Sequence, residues 1–189
     1  NAYTIFETMN DRGLNLTPSE MLKGFVLSRF DSSAKRNKAN ELWKDAMVML
    51  KAYEKDEDQR FFQSWLRARY ADSIRPGKAG SKNEDFEKIG TRFHSWVRDN
   101  LAKVGLDAEQ GETFENFVQK DFSFYLKAYL RILEAEKNLT PGLEHVFYIR
   151  HWGIAPTLSF PLMLASLNTD DSDETVARKI DTLAAYIET

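Results

Sequence analysis

The amino-acid sequence predicts an all-α fold, an irregular bundle of eight or nine helices. Apolar residues recur at i, i+3, i+4 and i+7 through most of the chain, the spacing that lays a stripe along one face of an α-helix. Helix starts are written as Thr-Pro pairs or acidic first turns. No segment alternates apolar and polar residues in the manner of a half-buried strand.

A first helix is expected over about Ala2 to Met9, ending at Asn10-Asp11-Arg12-Gly13, where glycine suits a left-handed position after the last turn. After Leu14-Asn15-Leu16, Thr17-Pro18-Ser19-Glu20 opens the next helix, with Thr as N-cap, Pro at the first helical position and Glu three residues after the cap. Met21, Leu22, Phe25, Val26 and Phe30 form its apolar face, and Asp31-Ser32-Ser33 ends it. A helix from roughly Ala34 to Tyr53 carries Ala39, Leu42, Trp43, Ala46, Met47 and Leu50 in register. Asp56-Glu57-Asp58 opens another, whose core face is Phe61, Phe62, Trp65, Leu66, Tyr70 and Ile74.

Residues 75–83, rich in Gly and Lys, read as a loop. Phe86, Ile89, Phe93, Trp96, Val97, Leu101 and Val104 trace a further helix stopped by Gly105. The longest helix is expected from Glu112 to Glu136, with an unbroken stripe from Phe114 to Leu133. Thr140-Pro141 repeats the Thr-Pro start and leads into Leu143 to Trp152. Beyond Gly153 an apolar helix runs from Ala155 to Leu167, where Pro161 should kink or reset the turn, and a last helix begins near Asp173.

Composition narrows the function classes. The 189 residues are 42% hydrophobic, 13% aromatic and 29% charged, as expected of a packed globular domain. No cysteine is present, so neither a disulfide framework nor a thiolate metal site exists. No apolar run approaches the ~18–20 residues that span a bilayer, and no signal-peptide pattern opens the chain. A cytoplasmic protein with no membrane contact is expected. The net charge of −3 offers no general attraction to nucleic acid. Residue 1 is Asn inside an apolar context, and Ile180, Leu183, Ala184 and Ile187 still keep helical spacing near the other end. The expectation is a single helical domain, 1–189, that is an internal piece of a larger protein, with a distinctive turn and helix in 1–30 and the bundle in 31–189.

Most catalytic patterns are absent. His94, His145 and His151 lack zinc-ligand spacing and read as structural; Asp170-Asp171-Ser172-Asp173-Glu174 lacks the glycine and closing glutamate of a calcium loop. Gly77 to Lys82 lacks the order of a phosphate-binding loop, and no nucleophilic triad or kinase signature occurs. No residue is assigned a catalytic role or a metal. Arg60, Arg67, Arg69, Arg75, Lys78 and Lys82 share a window whose only acidic residue is Asp72. That window reads either as a phosphate-contacting, DNA-facing patch or as a solvated helix face whose aliphatic stems cover aromatic side chains.

The segment from Phe6 to Leu14 crowds polar side chains onto a helix end. Asn10 can orient a ligand by donor and acceptor together, Arg12 offers a rigid fork suited to phosphate, and Glu7 and Asp11 stand at i, i+4. Lys23 on the following helix can return toward the same loop. A helix C-cap followed by a turn explains the same residues.

The run from Ile5 to Lys23 resembles a signature of the GmrSD-type proteins, modification-dependent restriction and phage-defence systems whose shared region is domain of unknown function 262. Phe6 and Asn10 match a Phe-x-x-x-Asn element, followed by the Asn-Asp-Arg-Gly turn and a helix entered through Thr with a Lys further on. Arg150 to Ala165 also resembles the family's apolar helix. The resemblance implies a ParB-like nucleotide-binding part upstream, carrying an Asp-Gly-Gln-Gln-Arg motif, and in many members an HNH nuclease part downstream; this sequence has neither motif. It further implies that Asn10, Asp11, Arg12 and Lys23 complete a nucleotide pocket, with Phe6 packed beneath and Gly13 permitting the turn. NTP and Mg2+ would then serve the intact protein, an NTPase or endonuclease, with no cofactor held by this helical piece and none of its activity residing there alone. DNA would be a partner, with the missing ParB-like and HNH parts. The alternative is a helical protein-interaction or scaffold module with no nucleotide role.

Overall fold

A computed structural model describes residues 16–151 and 155–188, with the backbone alone for His151 and Glu188. Among these residues every regular element is helical, and together they form an irregular all-α bundle. The predicted helix over Ala2 to Met9 lies outside the described residues.

Helix α1, Pro18–Leu27, starts as its sequence prescribes. The Thr17 side chain accepts from the Glu20 N–H at 3.3 Å, and the Glu20 carboxylate accepts from the Thr17 N–H at 2.7 Å, a reciprocal capping box. Helix α2, Ser33–Lys51, is capped by Ser32. Helix α3, Glu57–Tyr70, begins with two acidic residues and packs against α1, α2 and the helices over Asp85–Asp99, Ser123–Lys137 and Pro156–Ala165, so it is the centre of the bundle. It ends at Tyr70, and Ile74, expected in the core, is 62% exposed. The chain has left the helix by then, so periodicity no longer governs where that side chain goes.

The helix expected from residue 86 to 104 is three pieces. Helix α4, Asp85–Asp99, is interrupted at Arg92, whose φ of −144° and ψ of 55° are not helical, and a separate turn α5, Leu101–Val104, follows. At Gly90, two residues before the interruption, the Arg67 guanidinium occupies the space a Cβ would fill, and Gln63 donates to the Gly90 carbonyl at 2.9 Å. Gly105 ends α5 with φ of 76°, the left-handed position predicted for it.

The long helix is continuous in path but not in pitch. Helix α6, Gly111–Asn116, passes through a π turn, Phe117–Phe122, into α7, Ser123–Lys137. In a regular α-helix Phe117 and Phe122, five apart, would point well away from each other at about 100° per residue. The wider turn brings both against Trp65, with ring centroids at 5.0 and 6.2 Å. Thr140-Pro141 does not cap a helix. The Leu143 N–H donates to the Thr140 carbonyl at 2.9 Å and Gly142 has φ of 80°, a Pro-Gly turn that delivers the chain to α8, Glu144–His151. Helix α9, Pro156–Ala165, holds the buried Pro161 in its middle, and α10, Asp173–Glu188, packs on α8 and α9.

The core is aromatic. Trp43 stacks on Phe122 at 4.8 Å and on Phe62 at 5.3 Å, and Phe62 stacks on Phe93 at 5.4 Å. The indole N–H groups of Trp43 and Trp65 are buried without a hydrogen-bond acceptor among the described residues. Each such donor costs about 1–3 kcal/mol, less than the about 3–5 kcal/mol by which a buried large ring typically stabilises a core.

Candidate functional site

Phe6, Asn10, Asp11, Arg12 and Gly13 lie outside the described residues, as does Glu7. Of the proposed nucleotide-binding set, Lys23 is described. It stands half-buried on α1, where burial and the nearby Lys44 lower its pKa while Glu41 and Glu20 oppose the shift. The capping box at Thr17 fixes the start of α1, and Leu22, Phe25 and Val26 anchor that helix in the core.

The basic window does not come together as one surface. Arg67 turns toward α4, donating from Nε to the Phe86 carbonyl at 2.9 Å with its guanidinium 4.0 Å from the Phe86 ring centroid. Arg69 leaves α3 on another side, over Tyr125 and within 3.5 Å of the Leu167 carbonyl. Arg60 is tied to Glu54 at 2.5 Å and Glu57 at 3.4 Å. Arg75, Lys78 and Lys82 stand exposed on the loop after α3.

His94 lies edge-on to Phe93, and His145 pairs through Nδ1 with Asp181 at 2.8 Å. Lys127 engages Asp173 and Lys179 engages Asp171, so the acidic loop is tied to neighbouring helices. Among the described residues no group of three or more acidic or histidine side chains is disposed to hold a metal, and no helix is long and apolar enough to cross a membrane.

A cleft that the sequence reading missed opens between α3, α7 and the start of α9, with a volume of about 500 Å³. Helix α3 gives it Glu57, Arg60, Ser64 and Arg67, spaced three, four and three residues apart and therefore on one face. Helix α7 gives it Tyr129, Leu133, Glu136 and Lys137. Glu57 and Glu136 are 3% and 8% exposed, deep positions for carboxylates. The Tyr129 hydroxyl donates to Glu57 Oε1 at 2.5 Å, and Arg150 of α8 reaches Glu136 at 3.4 Å. Burial pushes the Glu136 carboxyl above its ordinary range; Arg150 opposes the shift and Glu57 adds to it. Burial and the adjacent Glu57 likewise push the Tyr129 hydroxyl up, so it stays a proton donor.

The signal for this cleft was present as the Glu57, Arg60, Ser64, Arg67 spacing, but such a polar stripe ordinarily faces solvent. What covers it comes from residues 129–160, far away in sequence. Compared with protein-family models, with curated proteins and with solved structures, the chain matches none.

Proposed function

We propose that this chain is the helical region of a GmrSD-like, NTP-dependent restriction or phage-defence protein of the cytoplasm, coupling a nucleotide pocket to DNA-binding or nuclease parts. The observation that carries the reading is the signature's entry into α1. The Asn10-Asp11-Arg12-Gly13 sequence is followed within four residues by the Thr17 capping box, and the helix so started is seated in the core. In this reading a change of arrangement at that segment is passed to a helix anchored in the core, as a shift between two populations requires. Lys23, on that helix, is half-buried with Lys44, Glu41 and Glu20 around it, and in this reading its ammonium meets the nucleotide. In this reading Asn10, Arg12 and Lys23 hold the nucleotide, whose Mg2+ comes with it, and Arg75, Lys78 and Lys82 are the loop cations free to meet DNA phosphates.

The test is NTP hydrolysis by the full-length protein beside Asn10→Ala and Arg12→Ala, with folding checked by circular dichroism. Loss of turnover by at least about tenfold in folded variants, the worth of one charge-assisted hydrogen bond, supports the nucleotide role. Undiminished turnover removes it. A second reading, a helical interaction module, is favoured by Leu158 and Leu162, both 51% exposed and one turn apart on α9.

A further inference from the structure

The polar groups of the cleft are not equivalent. Its buried acceptors are engaged: Glu57 by Tyr129 and Arg60, Glu136 by Arg150. Several donors are not. Ser64 is 6% exposed, lines the cleft, and its hydroxyl has no hydrogen-bond partner among the described residues. Helix α9 presents its N-terminus to the cleft through Ala155, Pro156 and Thr157, and the Ala155 methyl group cannot cap it with a hydrogen bond. The Ala155 carbonyl accepts from the Leu158 and Ser159 N–H groups, and among the described residues no acceptor pairs with the Thr157 N–H. Arg60, which contacts the cleft-lining Glu54 at 2.5 Å as well as Glu57, and Arg150, which contacts Glu136, are 51% and 57% exposed with guanidinium N–H groups left over, and Lys137 stands at the rim above Tyr53. An uncapped helix N-terminus, a serine hydroxyl in the wall and cations held by neighbouring carboxylates line the same cleft, a set of donors that suits an anion.

The cavity is too large for a bare inorganic anion and falls within the ~300–1,000 Å³ of small organic ligands. Leu133 and Phe160 are buried in its wall, and the Tyr129 ring stands 5.0 Å from Phe160. We propose that the cleft between α3, α7 and the start of α9 binds a small organic phosphate, with the phosphate at Ser64, Arg60, Arg150 and the Thr157 N–H and the organic part against Leu133 and Phe160. Glu57 and Glu136 touch no ligand; they aim the two arginines.

Calorimetric titration of the full chain with adenosine 5′-monophosphate, ribose 5-phosphate, inorganic phosphate and adenosine tests this. A dissociation constant below about 1 mM for at least one ester is expected, with phosphate and adenosine weaker. Adenosine monophosphate binding more tightly than ribose 5-phosphate assigns the apolar wall to a base; equal affinity assigns the site to sugar phosphates. Arg60→Gln and Arg150→Gln should each weaken binding about tenfold or more, and Ser64→Ala several-fold. Lys88→Gln, exposed on α4, should change nothing. Ser64→Ala leaves no charge unpaired, so it remains informative if either arginine variant unfolds. Absence of binding to both esters, adenosine binding as tightly as its monophosphate, or affinity untouched by Ser64→Ala and the arginine variants overturns the proposal. Its outcome is separate from that of the Asn10 and Arg12 variants, which concern other residues and a different readout.

Discussion

The two faces of α3 make opposite use of burial. One face presents Phe61, Phe62, Trp65 and Leu66, all 0% exposed, to rings contributed by α2, α4 and α7. The other presents Glu57, Arg60, Ser64 and Arg67 to the cleft. On the first face geometry is satisfied by shape alone, so well that two indole N–H groups are left without acceptors. On the second, Glu57, Arg60 and Arg67 are each placed by a specific partner, and Ser64 has none among the described residues. A dry face tolerates unmet polar atoms because ring packing outweighs them. A polar face one helix-width away keeps an unmet donor where a ligand can reach it. Tyr129 joins the two: its ring packs edge-on to Phe61 at 5.4 Å while its hydroxyl serves Glu57.

Trp65→Ala should break the first face. It removes a fully buried ring that touches Phe61, Phe117 and Tyr125, and a loss of about 3–5 kcal/mol is expected by urea denaturation. Relief of the unpaired indole N–H places the result toward the lower part of that range. A loss under about 1 kcal/mol, the level of an ordinary surface change, would mean that the aromatic stack is not the centre of stability.

Tyr129→Phe sharpens the boundary between the faces, because it keeps the ring and deletes the hydroxyl. Glu57 then keeps only the 3.4 Å contact with Arg60 among its described partners. A loss of about 1–3 kcal/mol is expected, the penalty for a buried acceptor deprived of its donor. An unchanged urea midpoint would show that Glu57 finds water or Arg60 instead, and that the cleft is wetter than its burial implies.

The aromatic face was legible in the sequence and the cleft was not. Leu42, Trp43, Ala46 and Leu50 announce themselves by spacing alone, as do Phe61, Phe62, Trp65 and Leu66, because an apolar stripe must be covered by something. The Thr17 box was legible because both of its bonds lie within one turn. Thr140-Pro141 carried the same letters to a different end, since Gly142 at positive φ turns the chain before a helix can start. The π turn at 117–122 was hidden because one residue of slippage leaves an apolar stripe looking intact. Ser64 and Glu57 gave no sign of their burial, which is decided by α9 meeting α3 across more than eighty residues of chain. Helix geometry sets Arg69 apart from Arg60 and Arg67, which a linear window had grouped with it.

The smallest expected effect comes from the cleft's second carboxyl. Burial first, and Glu57 after it, raise the folded-state pKa of Glu136 above its ordinary 4.5, with Arg150 holding back part of the rise. Between the ordinary and the raised value the folded chain binds more protons than the unfolded one, so this group's contribution to stability falls as pH rises through that window and levels off above it. Glu136→Gln keeps the shape and removes the titration. The stability of the glutamine variant relative to wild type, followed by thermal unfolding from pH 4 upward, should therefore rise with pH and then become constant. A pH-independent difference would mean that Arg150 compensates the buried charge completely, and the cleft would then hold Glu136 as comfortably ionised as a surface carboxylate. A difference that fell with pH would reverse the sign and make the Glu136–Arg150 contact a net stabilising pair.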